Sequence, residues 1–321
     1  MTTATTLSFV TLDVFTSTRY TGNPLAIVEV PQKTALTQDQ KQRIAREFNL
    51  SETVFLHEQT AQDSEDESVR IDIFTPQAEL PFAGHPTVGT ANYLLRRLQD
   101  DGHSGRNSNK VKALQAKAGR FGITLNPAVV GGGVQIAVAH DVHIHSAPFA
   151  GTAFAQHPVV SIVKGMTFIL AQLPDLDALG AATRSLIDPA ETYSACSALD
   201  PGWREGLVVT YFFVDTGTTT TGDDGGVRTL RVRCQGSRED PATGSAASAL
   251  TSYLSLQHGR AGRYRYALTQ GVEMGQRSEI FVDVAVKDAA PSSPAGVEID
   301  QVLLSGSAVQ VMQGSLTVPE S

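Results

Sequence analysis

Thiols and basic charge are both scarce in this sequence. Its 321 residues hold two cysteines, Cys196 and Cys234. Two such residues set no disulfide framework and have no metal-ligand spacing, so a reducing, cytoplasmic setting is expected. Against 33 Asp and Glu there are 25 Lys and Arg, a net charge of −8, with no basic cluster. That excludes a nucleic-acid partner. No apolar run is long enough to span a bilayer, which excludes a membrane helix. Met1 to Val10 lacks the charged start and apolar stretch of a signal peptide. What is there is 41% apolar residues, enough for the cores of one large or two ordinary domains, with 28 Gly and 15 Pro to make frequent turns.

One short pattern is written twice. Gly84-His85-Pro86-Thr87-Val88-Gly89-Thr90-Ala91 is echoed by Glu239-Asp240-Pro241-Ala242-Thr243-Gly244-Ser245-Ala246, at an offset of 155 residues (240 less 85). Each copy leads into a helical apolar pattern, and each sets one proton-handling residue, His85 or Asp240, before a proline. Proline suits the first helical position because its missing N–H would be unpaired there. The free amides and positive dipole end of a helix start form an anion site. Two such starts predict two similar domains facing each other across a cleft that grips an anion.

Strands are expected at Leu7–Phe15, Leu25–Val30, Val69–Phe74 and Leu207–Val214, and helices at Thr37–Phe48, Pro86–Leu98, Asp175–Leu186 and Pro241–Leu256. Thr37 with Gln40 reads as a capping box, and Gly131-Gly132-Gly133 as a hairpin break. Polar, Gly-containing loops are expected at Gln99–Asn109 and Asp215–Gly226, and a loosely held stretch at Ala289–Ala295. The helix from Pro241 is small nearly all round, which predicts burial on every side. Regular βαβ alternation is missing, so a parallel α/β sheet is excluded. The fold expected is α+β, with two pseudo-symmetric domains at 1–145 and 146–321. Each is a curved, mostly antiparallel, barrel-like sheet around a central helix, and the last strand is free to pack back on the first lobe.

Taken alone, the candidate site residues have ordinary readings. Glu52 reads as a strand-start carboxylate facing solvent, and Asp240 and His85 as helix caps. Ser245 and Thr90 read as packing residues, and Asn23 equally as a turn residue or a ligand. His143 and His145 alternate like a metal pair, but no third ligand is nearby in sequence, and no metal is expected.

Longer strings change the balance. Asp13-Val14-Phe15 through Thr21-Gly22-Asn23-Pro24-Leu25-Ala26, Asn49-Leu50-Ser51-Glu52-Thr53-Val54-Phe55, Phe74 through Thr87, Glu239 through Ala246, Gln270-Gly271-Val272-Glu273-Met274-Gly275 and Leu304 through Val309 run collinearly over nearly the whole chain. Together they resemble the PhzF-like phenazine-biosynthesis isomerase family, within the diaminopimelate epimerase superfamily. The resemblance implies an active site between two central helices, no metal, no organic cofactor, and a homodimer. It makes Glu52 the general acid/base, with His85, Asp240 and Ser245 around the substrate. Epimerases of the superfamily carry a cysteine at each central-helix start, whereas this chain has His85 and Asp240. That implies one carboxylate that removes a proton and returns it elsewhere, an isomerisation rather than an inversion.

The expected function is thus a cofactor-independent isomerase acting on a small carboxylate-bearing metabolite. Glu52, His85 and Asp240 are its catalytic residues, and Asn23, Gly84, Gly244 and Ser245 bind substrate. The competing readings are an amino-acid epimerase or racemase of the same fold, and a small-acid-binding protein without chemistry.

Overall fold

The computed structural model describes residues 5–100, 111–129, 131–146, 155–219, 226–290 and 296–320. Most of the expected loop Gln99–Asn109, the 220–225 part of Asp215–Gly226 and the 291–295 part of Ala289–Ala295 lie outside the described residues. The chain divides into two compact units, Met1–Ala137 with Ser305–Ser321, and Val138–Leu304.

The first unit opens with β1 (Thr6–Val14), β2 (Asn23–Val30), α1 (Gln38–Phe48), β3 (Glu52–His57), α2 (Ala61–Glu65), β4 (Ser68–Phe74) and β5 (Glu79–Leu80). The long helix α3 (Gly84–Asp100) follows, then β6 (Ala113–Ala116), β7 (Gly119–Asn126) and β8 (Gly133–Ala137). Pairing is mostly antiparallel: β1 with β2 and with the last strand Ala308–Thr317, β3 with β4, β4 with β5, β6 with β7, and β7 with β8. Two pairs are parallel, β2 with β3 and β4 with β6. Parallel neighbours need a crossover, and α1 and α3 supply them.

Helix α1 starts as its sequence predicts. Thr37 Oγ1 accepts from the Gln40 N–H at 3.2 Å, and Gln40 Oε1 accepts from the Thr37 N–H at 2.9 Å. It ends at Asn49, which caps it in the left-handed conformation (φ 50°) and turns the chain into β3, whose first residue is Glu52. Ile44 and Ala45 pack with Leu7, Val28, Phe55 and Phe74, with Phe48 against the same cluster. Asp72 ties the helix to the sheet: its Oδ2 is 2.5 Å from Lys41 Nζ and 2.8 Å from His57 Nε2. Burial alone would raise the Asp72 pKa, but the hydrogen bonds and charges of His57 and Lys41 outweigh it and hold the carboxyl down at about 2.

Helix α3 is buried from Gly84 to Tyr93. Two hydroxyls close on a preceding carbonyl: Thr87 Oγ1 donates to Ala83 O and Thr90 Oγ1 to Pro86 O, at 2.7–2.8 Å, so they can be buried without an outside partner. Asn92 Nδ2 donates both to Val88 O at 2.9 Å and, outside the helix, to Gly306 O at 3.1 Å.

The second unit comprises β9 (His143–Ile144), β10 (Val159–Val163), β11 (Gly165–Gln172), α4 (Leu176–Ala181), β12 (Gly206–Thr219), β13 (Val227–Gln235), β14 (Glu239–Asp240), α5 (Gly244–Leu256), β15 (Gly262–Gln270) and β16 (Ser278–Asp288), with most of β17 (Val297–Gly306). It repeats the first unit's pairings in the same order. β10 with β11, β12 with β13, β13 with β14 and β15 with β16 are antiparallel. β11 with β12 and β13 with β15 are parallel. Each unit is therefore an α+β layer in which a mostly antiparallel sheet holds one buried helix.

Four elements differ from the sequence-based expectation. Helix α3 begins at Gly84, not Pro86, so His85 lies inside its first turn and is not its cap. Helix α4 ends at Ala181 rather than Leu186, because Ala182 (φ −78°, ψ 70°) leaves the helical conformation, and the Leu186 N–H is taken by Thr210 Oγ1 at 2.9 Å. Strand β12 runs on to Thr219, its threonine-rich end paired with β13 and held by Arg228 on Asp215 at 2.7 Å and 2.9 Å. Helix α5 begins at Gly244, not Pro241, since the preceding Thr243 (φ −114°, ψ 86°) is not helical. Its burial is as its small residues predict, with eleven of its thirteen residues inside.

The late start of α5 moves the internal repeat. In both units a two-residue strand, a proline and two further residues precede the first helical glycine: Glu79-Leu80-Pro81 before Gly84, and Glu239-Asp240-Pro241 before Gly244. The structural offset is 160 residues (244 less 84), not the 155 of the sequence pairing. Ser245, not Asp240, is the counterpart of His85.

Candidate active site

In the first unit the fold brings together Glu52 from the start of β3 and His85 from the first turn of α3. Glu52 Oε2 lies 2.9 Å from His85 Nδ1. The His85 side chain is 2% exposed and that of Glu52 15%. The approach lacks hydrogen-bond alignment, and among the described residues Glu52 Oε2 and His85 Nε2 have no aligned hydrogen-bond partner. Buried polar atoms are nearly always satisfied, so two such atoms in one acid–base pair point to a ligand. Asn23, buried, opens the parallel strand β2 two residues before Leu25, which registers with Glu52. Gly84 is the first residue of α3, beside His85.

Asp240, Gly244 and Ser245 lie in the second unit. Asp240 closes β14, while Gly244 and the buried Ser245 open α5. Asp240 is therefore not the helix cap, a position held by Thr243. Thr243 Oγ1 instead donates to Asp240 Oδ2 at 2.6 Å.

Behind this pair sits Gln270, at the end of β15 and fully buried. Its Oε1 accepts from Tyr211 Oη at 2.9 Å and from the Thr243 N–H at 3.2 Å. Its Nε2 donates to Asp240 O at 2.8 Å and to Thr243 Oγ1 at 3.0 Å. Burial, followed by the charges of Cys234 and Asp240, pushes the Tyr211 hydroxyl well above its ordinary pKa, so it stays a neutral donor. The next residue, Gly271, has φ +73°, and a Cβ there would lie 2.8 Å from Pro241 O. Only glycine lets this turn seat against the proline of the motif.

Sequence reasoning missed Gln270, Thr243 and Tyr211 as site residues. Gln270 and Gly271 stand in a matching string, but a buried amide 30 residues from Asp240 gives no local signal. Glu239 also has a fixed partner. It takes Arg233 in a two-pronged pair at 2.7 Å and 2.9 Å, and the Arg233 guanidinium also donates to Leu179 O and Gly180 O. That arrangement fixes β14 immediately before Asp240.

Comparison with known proteins finds relatives along nearly the whole chain. The family model described as phenazine biosynthesis-like protein (PhzC-PhzF) matches residues 12–314. An uncharacterized isomerase of Mesorhizobium japonicum is 31% identical, with 98% of this chain and 99% of the relative covered. A trans-2,3-dihydro-3-hydroxyanthranilate isomerase of Pseudomonas aeruginosa is 29% identical over 95% of this chain and 98% of its own. Among solved structures, a PhzF-family phenazine biosynthesis protein of Bacillus anthracis superposes with a TM-score of 0.68 at 20% identity, over 98% of this chain and all of that one. Among the described residues, no helix is long and apolar enough to cross a membrane.

Proposed function

This chain belongs to the phenazine biosynthesis-like protein family, and on that premise we propose that it is a cofactor-independent isomerase that moves a proton on a small carboxylate-bearing metabolite. The carrying observation is the buried Glu52–His85 pair, 2.9 Å apart, with a carboxylate oxygen and a ring nitrogen lacking aligned protein partners.

Glu52 takes a proton from a carbon next to the substrate's carbonyl, imine or carboxylate and returns it at another carbon. The double bond shifts and no net proton is gained or lost. His85 presents Nδ1 to the carboxylate. A neutral ring protonated there keeps Nε2 as an acceptor for a substrate hydroxyl or ammonium group. Asn23 and the amides around Gly84 hold the substrate, its carboxylate favoured by the helix start. In the second unit, Asp240 is assigned to proton relay and Gly244 and Ser245 to the substrate's polar groups, with Thr243 on the Asp240 carboxylate and Gln270 on the Asp240 main-chain carbonyl. A cytoplasmic homodimer completes the reading.

The P. aeruginosa relative's name supplies the first substrate to try, trans-2,3-dihydro-3-hydroxyanthranilate, within a panel of small carboxylic acids. In deuterium oxide, proton NMR of each acid with the wild-type chain should show label entering at a carbon as the double bond moves. Glu52→Gln should show neither. Full turnover by Glu52→Gln would end the proposal. Inversion at a labelled α-carbon would transfer the chain to the epimerases, and tight binding without label would make it a binding protein.

A further inference from the structure

The two histidines that alternate in sequence acquire in the fold the third group they lack nearby. Asp200, 57 residues beyond His143, places Oδ2 at 2.9 Å from His143 Nε2 and 3.8 Å from His145 Nδ1. One ligand atom from each of the three lies within 4.8 Å of the others. We propose that His143, His145 and Asp200 form a zinc site in the second unit, separate from the proton-transfer machinery.

The surroundings are those of a metal-binding imidazole. His145 has a fully buried side chain, and its Nε2 is 2.9 Å from Ser161 Oγ, which lies 2.6 Å from Thr167 Oγ1. The Asp200 N–H donates to His145 Nδ1 at 3.3 Å, so the ring hydrogen sits on Nε2 and the Nδ1 lone pair is turned toward Asp200, whose Oδ2 is 3.8 Å away. A histidine ligand is normally held this way, its other nitrogen donating to a fixed partner. The carboxylate is held too, by the Ser146 N–H at 3.1 Å and Ser146 Oγ at 3.2 Å, both on Oδ2.

Zinc would replace the proton between His143 Nε2 and Asp200, the His143 ring keeping its hydrogen on Nδ1, and would displace the long 3.3 Å bond at His145. Two imidazoles and one carboxylate suit zinc rather than magnesium or calcium, which prefer oxygen ligands throughout. Water takes the fourth position. His143, with a side chain 32% exposed, opens the site to solvent.

The site carries its own reporter. Trp203, the only tryptophan of the chain, stacks on His143 at 4.6 Å between ring centroids. Titrating the full-length protein with Co²⁺ should quench its fluorescence saturably, EDTA should restore it, and Zn²⁺ should compete. Asp200→Asn should weaken Co²⁺ binding at least about tenfold, while His258→Ala, outside the cluster, should leave it unchanged. Undiminished affinity in Asp200→Asn, or no saturable quenching of the wild type up to about 1 mM Co²⁺, the millimolar limit of weak binding, would overturn the assignment. X-ray absorption of the zinc-loaded wild type is independent of any variant's folding. Imidazole scattering with nitrogen at about 2.0–2.1 Å supports the site, and an all-oxygen shell refutes it.

Discussion

His85 and Ser245 occupy the same place in the two units: each is the second residue of the buried helix that follows a two-residue strand and a proline. The repeated scaffold therefore carries different side chains at its two helix starts. One helix start offers an imidazole beside the Glu52 carboxylate at 2.9 Å. The other offers a hydroxyl, with the Asp240 carboxylate coming from the strand before the helix and held by Thr243.

That asymmetry sets the first expectation. Glu52→Gln should lower turnover by about 10²–10⁴-fold, the usual share of a general acid/base. Its folding stability should hold or rise, because Oε2 has no aligned donor to lose and a charge leaves a largely buried place. Urea melts beside steady-state rates would check this. A Glu52→Gln chain as destabilised as it is inactive would mark the residue as structural.

Gln270 makes four hydrogen bonds from a fully buried amide. Gln270→Leu should cost roughly 2–4 kcal/mol, because it strands the buried Tyr211 Oη and removes a partner from the part-buried Thr243 N–H and Asp240 O. Tyr211→Phe removes one donor and should cost about 1 kcal/mol. A double-variant cycle should show coupling between the two, since both act on Oε1. Additive losses would show that the network does not act as a unit.

Much of this architecture could be read along the chain because its causes are local. The Thr37–Gln40 capping box is complete within four residues, and the small side chains of α5 announce its burial. The register of the internal repeat was also present, but in the weaker spelling. Glu79-x-Pro81-x-x-Gly84 matches Glu239-x-Pro241-x-x-Gly244, while the more conspicuous Pro-x-x-Gly of Pro86 and Gly89 aligned Asp240 with His85. Non-helical Thr243 settles the choice, and its conformation depends on Gln270, a long-range contact. Glu52 stood out only as a member of a matching string and His85 also through the doubled helix start, and neither signal pairs them, because their meeting requires β3 and α3 to be placed together. Asp200 could not be assigned to His143 at all from sequence, since the 57 residues between them carry no shared pattern.

Asp72 predicts a specific acid response. Its pKa is about 2 in the folded chain against an ordinary value of 3.8. A depressed carboxylate stabilises the fold above its unfolded pKa and loses that contribution as pH falls through the folded one. With the side chain 25% exposed, roughly 1–2 kcal/mol should disappear between about pH 4 and pH 2. Asp72→Asn should be less stable by that amount at pH 7, and the gap to wild type should close across this window. Urea midpoints against pH would show it, and a gap independent of pH would assign the loss to packing instead.

Gly89 tests how closely α3 must approach its sheet. A Cβ there would lie 2.5 Å from Leu25 Cδ2 and 2.8 Å from Val14 Cγ2, both fully buried. Neither neighbour has space to retreat in a packed interior, so Gly89→Ala should cost about 1–3 kcal/mol through overpacking, despite alanine's better helix propensity. The nearer clash is with one methyl of a leucine that sits beside Glu52 in the β2–β3 register. Adding Leu25→Val shortens that side chain and should return part of the loss. If the helix recoils instead, His85 moves away from Glu52, and activity should fall further than stability. Comparing Tm and turnover in the single and double variants separates these outcomes, and recovery of both by Leu25→Val would show that the helix-to-sheet distance sets the acid–base geometry.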